Sequence, residues 1–127
     1  MQLNLLKPNQ TLNKAYQKEK VGRAEIEVFK ANLTFMIGRI NELESEENQK
    51  NVVSDFLKDT WYKNNHEINT KYKTDSVIHT GKTSKDPVGV VLEVKRPSNK
   101  AEMISAPKPN TKALHEMILY YLRETVD

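Results

Sequence analysis

Three residues carry the chemistry that can be read directly from this 127-residue chain: Asp75, Glu93 and Lys95. Glu93 and Lys95 interrupt the run Val88-Gly-Val-Val-Leu-Glu-Val-Lys-Arg-Pro97, which is otherwise apolar, rich in β-branched valine and closed by a proline, so it reads as a largely buried strand. Side chains alternate across a strand, so Glu93 and Lys95 project from one face and Val90, Leu92 and Val94 from the other. Burying such ionisable groups costs several kcal/mol unless they are paired or bind a metal. Upstream, Asp75-Ser-Val-Ile-His79 reads as a second short strand, separated from the first by a turn-prone stretch containing Gly81, Asp86 and Pro87. A hairpin of the two would bring Asp75 beside Glu93 and Lys95. Two carboxylates and a lysine at a sheet edge are what magnesium-assisted phosphodiester hydrolysis needs: hard oxygen ligands, and an ammonium to orient water or offset phosphate charge.

The elements that must position these residues follow from the rest of the pattern. Residues 1–22 read as an N-terminal arm with a short helix, capped by Thr11 and ended by Gly22. From 23 to about 44, Ile26, Phe29, Leu33, Met36, Ile37, Ile40 and Leu43 recur at three- and four-residue spacing, which predicts an amphipathic helix. Ser45 followed by Glu46 and Glu47 predicts an N-cap and a second helix to about 62, with Val52, Val53, Phe56, Leu57 and Trp61 inward. Residues 64–72 give a polar first strand with Ile68 and Tyr72 inward. After the two apolar strands, residues 98–104 form a turn or a short helical piece, and Pro107 and Pro109 enforce a loop. Asn110 or Thr111 caps a last helix to about 125, with Leu114, Met117, Ile118, Tyr121 and Leu122 on one face. Helices, strands, then a helix predict one small α/β domain over 23–127.

The text around these residues has a wider likeness. Asp75 with Glu93-Val94-Lys95 resembles the signature of the PD-(D/E)xK nuclease superfamily, with Thr74 where the superfamily has proline. Leu12-Asn-Lys-Ala-Tyr16, Asn51-Val-Val-Ser-Asp-Phe-Leu57, Asn65-His-Glu-Ile-Asn-Thr70, Lys100-Ala-Glu-Met-Ile104 and His115-Glu-Met-Ile-Leu-Tyr-Tyr-Leu-Arg-Glu124 extend it. Together they resemble the N-terminal nuclease region of type IIG restriction-modification enzymes, whose later part is an adenine-specific DNA methyltransferase. The resemblance implies a restriction-endonuclease-like core, a small central mixed sheet flanked by helices. It implies a type II site-specific deoxyribonuclease acting on double-stranded DNA, with Asp75, Glu93 and the main-chain carbonyl of Val94 holding Mg2+, for which Mn2+ substitutes, and Lys95 assisting the water. S-adenosylmethionine would belong to the methyltransferase part alone. A fourth acid from the first core helix is implied, with Glu47 the first choice and Glu44 and Glu46 its rivals. Glu116 and Tyr120 share a helix face where some members carry a glutamine and a tyrosine.

Each signal also has a plainer reading. Glu93 and Lys95 alone could be a structural ion pair, Asp75 a turn residue, Glu46 and Glu47 complements to a helix dipole, and Glu116 and Tyr120 a solvated face, the preferred reading of that pair. Arg96, Lys100, Lys108 and Lys112 gather base near the strand end and are candidates for phosphate contacts, as position without sequence readout. The formal charge of +3 says little about DNA by itself. No cysteine is present and the three histidines have no ligand spacing, so disulfides and thiolate zinc sites are excluded. The absence of an apolar run of membrane length points to the cytoplasm. The length suits one domain, so we expect a fragment that continues into a methyltransferase and a target-recognition domain, with dimerisation on DNA open. Alanine at Asp75, Glu93 or Lys95 is expected to abolish cleavage with folding retained. The alternative function is a noncatalytic nucleic-acid-binding or interaction module that keeps the fold.

Overall fold

Two β-branched stretches set the centre of the fold. The structure is a computed structural model describing residues 4, 6–71 and 74–126; the side chains of Thr74, Asp75 and Val126 lie outside that description. Strand β2 (Thr74–His79) is flanked by β1 (Ile68–Lys71) and β3 (Val88–Leu92), giving the order β1-β2-β3 with both pairs antiparallel. The sheet is therefore an antiparallel meander and not the mixed sheet expected. The reason is connection length: a parallel neighbour needs a crossover of roughly a dozen residues or more, and the links 72–73 and 80–87 are shorter than that. Tyr72, expected to point inward, lies outside the described residues.

In the β2–β3 ladder, Ser76 pairs with Leu92, Val77 with Val91 and Ile78 with Val90, but His79 pairs with Val88. Gly89 is the extra residue of this bulge; a Cβ there would come within 3.1 Å of Thr80 Cγ2. Ser76, Val77, Ile78 and His79 are consecutive and all buried, so both faces of β2 are covered. His79 is held at both ring nitrogens, Nδ1 2.7 Å from the Asp86 carbonyl and Nε2 3.1 Å from Asn69 Oδ1. The Asp86 carboxylate accepts from Thr83 N and Oγ1, which holds its pKa below the usual range. Gly81 is needed beside it, because an added Cβ would stand 2.6 Å from that carboxyl group.

The helices agree with the periodicity in place but not at their ends. Pro8 opens a single turn, α1 (Pro8–Thr11), where its missing N–H costs nothing, and Asn13 rather than Thr11 caps α2 (Lys14–Gln17) by accepting from Ala15 N at 2.9 Å. Helix α3 (Arg23–Arg39) stops short of residue 44. Asn41 Oδ1 accepts from Leu43 N at 3.0 Å, a local turn that competes with the helix, and leaves Leu43 92% exposed. Ser45 caps α4 (Glu46–Leu57) by accepting from Asn48 N.

Residues Lys58–Tyr62 continue α4 as a π-helical turn. Thr60 Oγ1 donates to the Phe56 carbonyl at 2.6 Å there, and the wider turn carries Trp61 onto Phe29 and Phe56, with ring centroids 5.8 and 5.6 Å away. Trp61 nonetheless stays half exposed. Strand β3 ends at Leu92, so Glu93 and Lys95 follow the ladder instead of lying within it. Residues 98–104 are turns, and a short bridge joins Ser105 to Lys108. Thr111 precedes α5 (Lys112–Val126), its carbonyl accepting from His115 N at 3.1 Å.

The core is Val52, Ile68, Val77, Ile78, Ala113, Leu114 and Tyr120. Helix α5 is rotated from the expected setting: Tyr121 and Leu122 are exposed, while Tyr120 is buried and Glu116 faces inward. Ile68→Ala should cost about 2–5 kcal/mol, whereas Leu43→Ala should stay within about 0.5 kcal/mol. Urea denaturation of both variants measures this, and equal costs would show the burial assignment to be wrong.

Candidate active site

A buried ammonium needs counter-charges, and Lys95, whose side chain is 4% exposed, draws them from three parts of the fold. Glu93 Oε1 lies 2.5 Å from Lys95 Nζ, Glu116 Oε2 2.9 Å and Glu46 Oε1 3.5 Å. Glu93 comes from the extension of β3, Glu116 from the first turns of α5, and Glu46 from the N-terminus of α4. Glu93 is as deeply placed as the lysine, whereas Glu46 and Glu116 reach partial exposure. The cluster thus opens to solvent on their side.

Asp75 belongs to β2, and continuing the register from the Ser76–Leu92 pair by one residue sets its backbone opposite Glu93. The hairpin inferred for Asp75 and Glu93 is present in the backbone; the Asp75 side chain itself is among those not described. Val94 lies between Glu93 and Lys95 and is half-buried.

Among the helix acids, Glu46 reaches Lys95 and Glu47, the first choice, does not. Glu47 is turned outward and pairs at 2.5 Å with Lys50, three residues on. Lys50 stands three residues after Glu47 and four after Glu46, both of them pairing distances, so the sequence alone does not separate the two acids. Glu44 is exposed. Glu116 and Tyr120, preferred as a solvated face, instead turn inward, Glu116 onto Lys95 and Tyr120 into the core. Of the basic candidates, Arg96 and Lys112 line a polar cleft of about 550 Å³ together with Glu46, Ser98, Asn99 and Glu102. Lys112 also lies 3.6 Å from Glu102 and 3.9 Å from Glu116. Lys100 and Lys108 are exposed and do not line the cleft.

The electrostatics follow from this geometry. Burial pulls the Lys95 pKa down, but hydrogen bonds to Glu93 and Glu116 and the charges of Glu93 and Glu46 outweigh it, so the group stays a firm ammonium. Burial likewise pushes Glu116 up, and the Lys95 ammonium, a hydrogen bond from Glu93 and the charge of Lys112 bring it below the ordinary carboxylate range.

The donor set is oxygen only, which suits a hard cation. Glu116 Oε2 is buried with no well-aligned hydrogen bond, despite its proximity to Lys95 Nζ. Among the described residues no group of three or more His, Cys, Asp or Glu has metal-binding geometry, and Lys95 holds the point where the glutamates converge. The oxygen chemistry suits magnesium in kind, but the described residues do not by themselves form a cation site, and the Asp75 side chain, which a metal-holding pair with Glu93 would need, lies outside them.

No helix among the described residues is long and apolar enough to cross a membrane. In comparison with known proteins, residues 6–127 match the model of DUF7149, described as a domain of unknown function. No curated protein and no solved structure matches the chain.

The depressed pKa of Glu116 has a testable sign. A carboxylate held low in the folded state stabilises it above the unfolded value, about 4.3 for glutamate, and that contribution is lost as pH falls through the folded value. Between pH 6 and about 3, the melting temperature of Glu116→Gln should therefore fall less than that of the unaltered chain. Parallel acid profiles would show that Glu116 gains nothing from Lys95.

Proposed function

We propose that this chain, which belongs to the DUF7149 family, is a metal-dependent DNA endonuclease domain that hydrolyses phosphodiester bonds as part of a restriction-modification protein. The observation that carries this reading is the placement of Lys95: a buried ammonium beyond the end of β3, two residues from Glu93, with the Asp75 backbone opposite in register. The finer elements of the reading, a restriction-endonuclease-like core and continuation into methyltransferase and target-recognition domains, rest on the resemblance of sequence described above.

In this reading Asp75, Glu93 and the Val94 carbonyl hold Mg2+. When bound, the ion polarises the phosphate and lowers the pKa of a water. Lys95 stays protonated, so its role is to orient the attacking water and offset charge on the phosphate, not to remove a proton. Glu46 and Glu116 hold the ammonium in place from two helices. The substrate approaches from the side of Glu46, which borders the polar cleft, where Arg96 and Lys112 contact the flanking backbone. Sequence choice comes from elsewhere in the parent protein.

A second reading is favoured by a specific observation: Lys95 Nζ lies within 3.5 Å of three glutamate carboxylates, as in a closed structural ion cluster. The chain would then be a noncatalytic binding module. Metal affinity separates the two. Calorimetric titration with Mn2+ should show binding that Asp75→Asn and Glu93→Gln each weaken by at least about tenfold, and an unaltered chain that binds no Mn2+ would overturn the nuclease reading.

The cluster also changes which variant tests Lys95. Lys95→Ala would leave Glu93 buried without its cation, at a cost of about 3–5 kcal/mol, so loss of cleavage in that variant would not separate chemistry from folding. Lys95→Arg keeps the charge but not the compact ammonium. In the parent protein it should lower DNA cleavage by about 10²-fold or more while the fold persists by circular dichroism. Full cleavage by a folded Lys95→Arg protein would remove the lysine from the mechanism.

A further inference from the structure

The positive charge of this chain is gathered outside its packed core. Residues 6–23 hold Lys7, Lys14, Lys18, Lys20 and Arg23 against one acid, Glu19, a net of +4; the whole chain carries +3, so the remainder is slightly negative. Every residue from 6 to 23 is exposed, and neither α1 nor α2 buries a side chain. The arm keeps its shape by hydrogen bonds of its own: Lys7 N donates to Gln10 Oε1 at 2.9 Å, and Gln17 Nε2 to the Leu12 carbonyl at 3.1 Å, while Asn13 caps α2. None of these bonds uses a charged side chain.

Folding does not account for those charges. Among the described residues none of the five cations makes an ion pair, whereas Lys30, Arg39, Lys50 and Lys71 of the following helices and strands each do. Lys20 and Arg23 stand at the N-terminus of α3, where the helix dipole disfavours cations. The acid in that first turn, Glu25, accepts from the Gly22 N–H at 2.8 Å.

Unpaired cations along an exposed arm complement a polyanion, whose released counterions favour binding. A membrane surface is the poorer complement, because helices of four residues present no continuous apolar face to lie in it. A duplex asks only for cations along its backbone. Resting on the reading of this chain as one that acts on DNA, we propose that residues 6–23 are a second DNA-binding element, separate from Arg96 and Lys112, whose five cations hold the phosphate backbone without reading bases.

Fluorescence anisotropy of a labelled duplex with the full chain in EDTA, between about 50 and 200 mM NaCl, reads such contacts as the slope of log K against log salt, about −0.9 for each phosphate neutralised. Lys14→Gln combined with Lys18→Gln should make the slope shallower by about 2 and weaken binding to unrelated duplexes equally. Lys82→Gln combined with Lys85→Gln removes the same charge from exposed positions between β2 and β3 and should leave the slope unchanged. All four side chains are exposed, so circular dichroism should match the unaltered chain in both variants. An unchanged slope in the arm variant, equal effects of the two pairs, or no duplex binding by the unaltered chain would each overturn the proposal, and binding to phosphatidylserine vesicles but not to duplex would assign the arm to a membrane instead. The assay contains no metal, so a chain that fails the Mn2+ titration but shows the arm-dependent slope loses the nuclease reading and keeps this one, and the converse result separates them equally.

Discussion

One lysine sets the terms for the rest of the molecule. A 4% exposed ammonium is tolerable only if counter-charges come to it, and those of Lys95 arrive from the start of α4, the end of β3 and the first turns of α5. The sheet and two helices are thereby tied at one point, independently of their apolar contacts. The arrangement is electrostatically over-determined. Three carboxylates converge on it, and the outermost, Glu46, stands at the solvent edge. Such a cluster is a poor source of net stability compared with a well-packed apolar core, because desolvation consumes much of the attraction. Its retention inside so small a domain is understandable if charge is needed at that position.

The three strands were legible because their signal is local. β-branched runs bounded by turn residues placed β2 and β3, and the hairpin followed from the shortness of the link between them. The approach of Asp75 to Glu93 and Lys95 was inferred from the same information, and the ladder runs to the Ser76–Leu92 pair, one residue short of them. The antiparallel direction of β2 and β3 was read with the hairpin; only the mixed character given to the whole sheet, taken from the resemblance, differs, although the short links already required antiparallel neighbours. Helix ends were misplaced where side chains compete with the backbone: Asn41 ends α3 early, and Thr60 accompanies the conversion of the end of α4 to a π-turn. Periodicity does not register such hydrogen bonds.

The rotation of α5 was the least legible feature. The apolar pattern offers Leu114, Met117, Ile118, Tyr121 and Leu122 to the core; the structure buries Leu114 as expected but takes Ala113 and Tyr120 and leaves Tyr121 and Leu122 exposed. What turns the helix is a pair of long-range ionic contacts, Glu116 with Lys95 and, at the other end, Glu124 Oε2 with Lys71 Nζ at 2.6 Å. Neither partner is adjacent in sequence, so no local pattern encodes them. The same contacts draw Glu116 into the candidate site, which explains why it looked like part of a solvated face. Glu46 was obscured differently: it and Glu47 are equivalent by residue type, and only the fold, by pairing Lys50 with Glu47, separates them.

The antiparallel meander also fixes an order of assembly. Strand neighbours that are close in sequence close small loops, so the hairpins carry a low entropic penalty and form quickly. Glu116 lies 21 positions from Lys95 but Glu46 lies 49, so bringing α4 onto the lysine is the long closure that remains. The lysine's last carboxylate therefore arrives late, and until then the half-built sheet holds a charge that its surroundings cannot yet balance. The catalytic candidates are the slowest part of the chain to become a place.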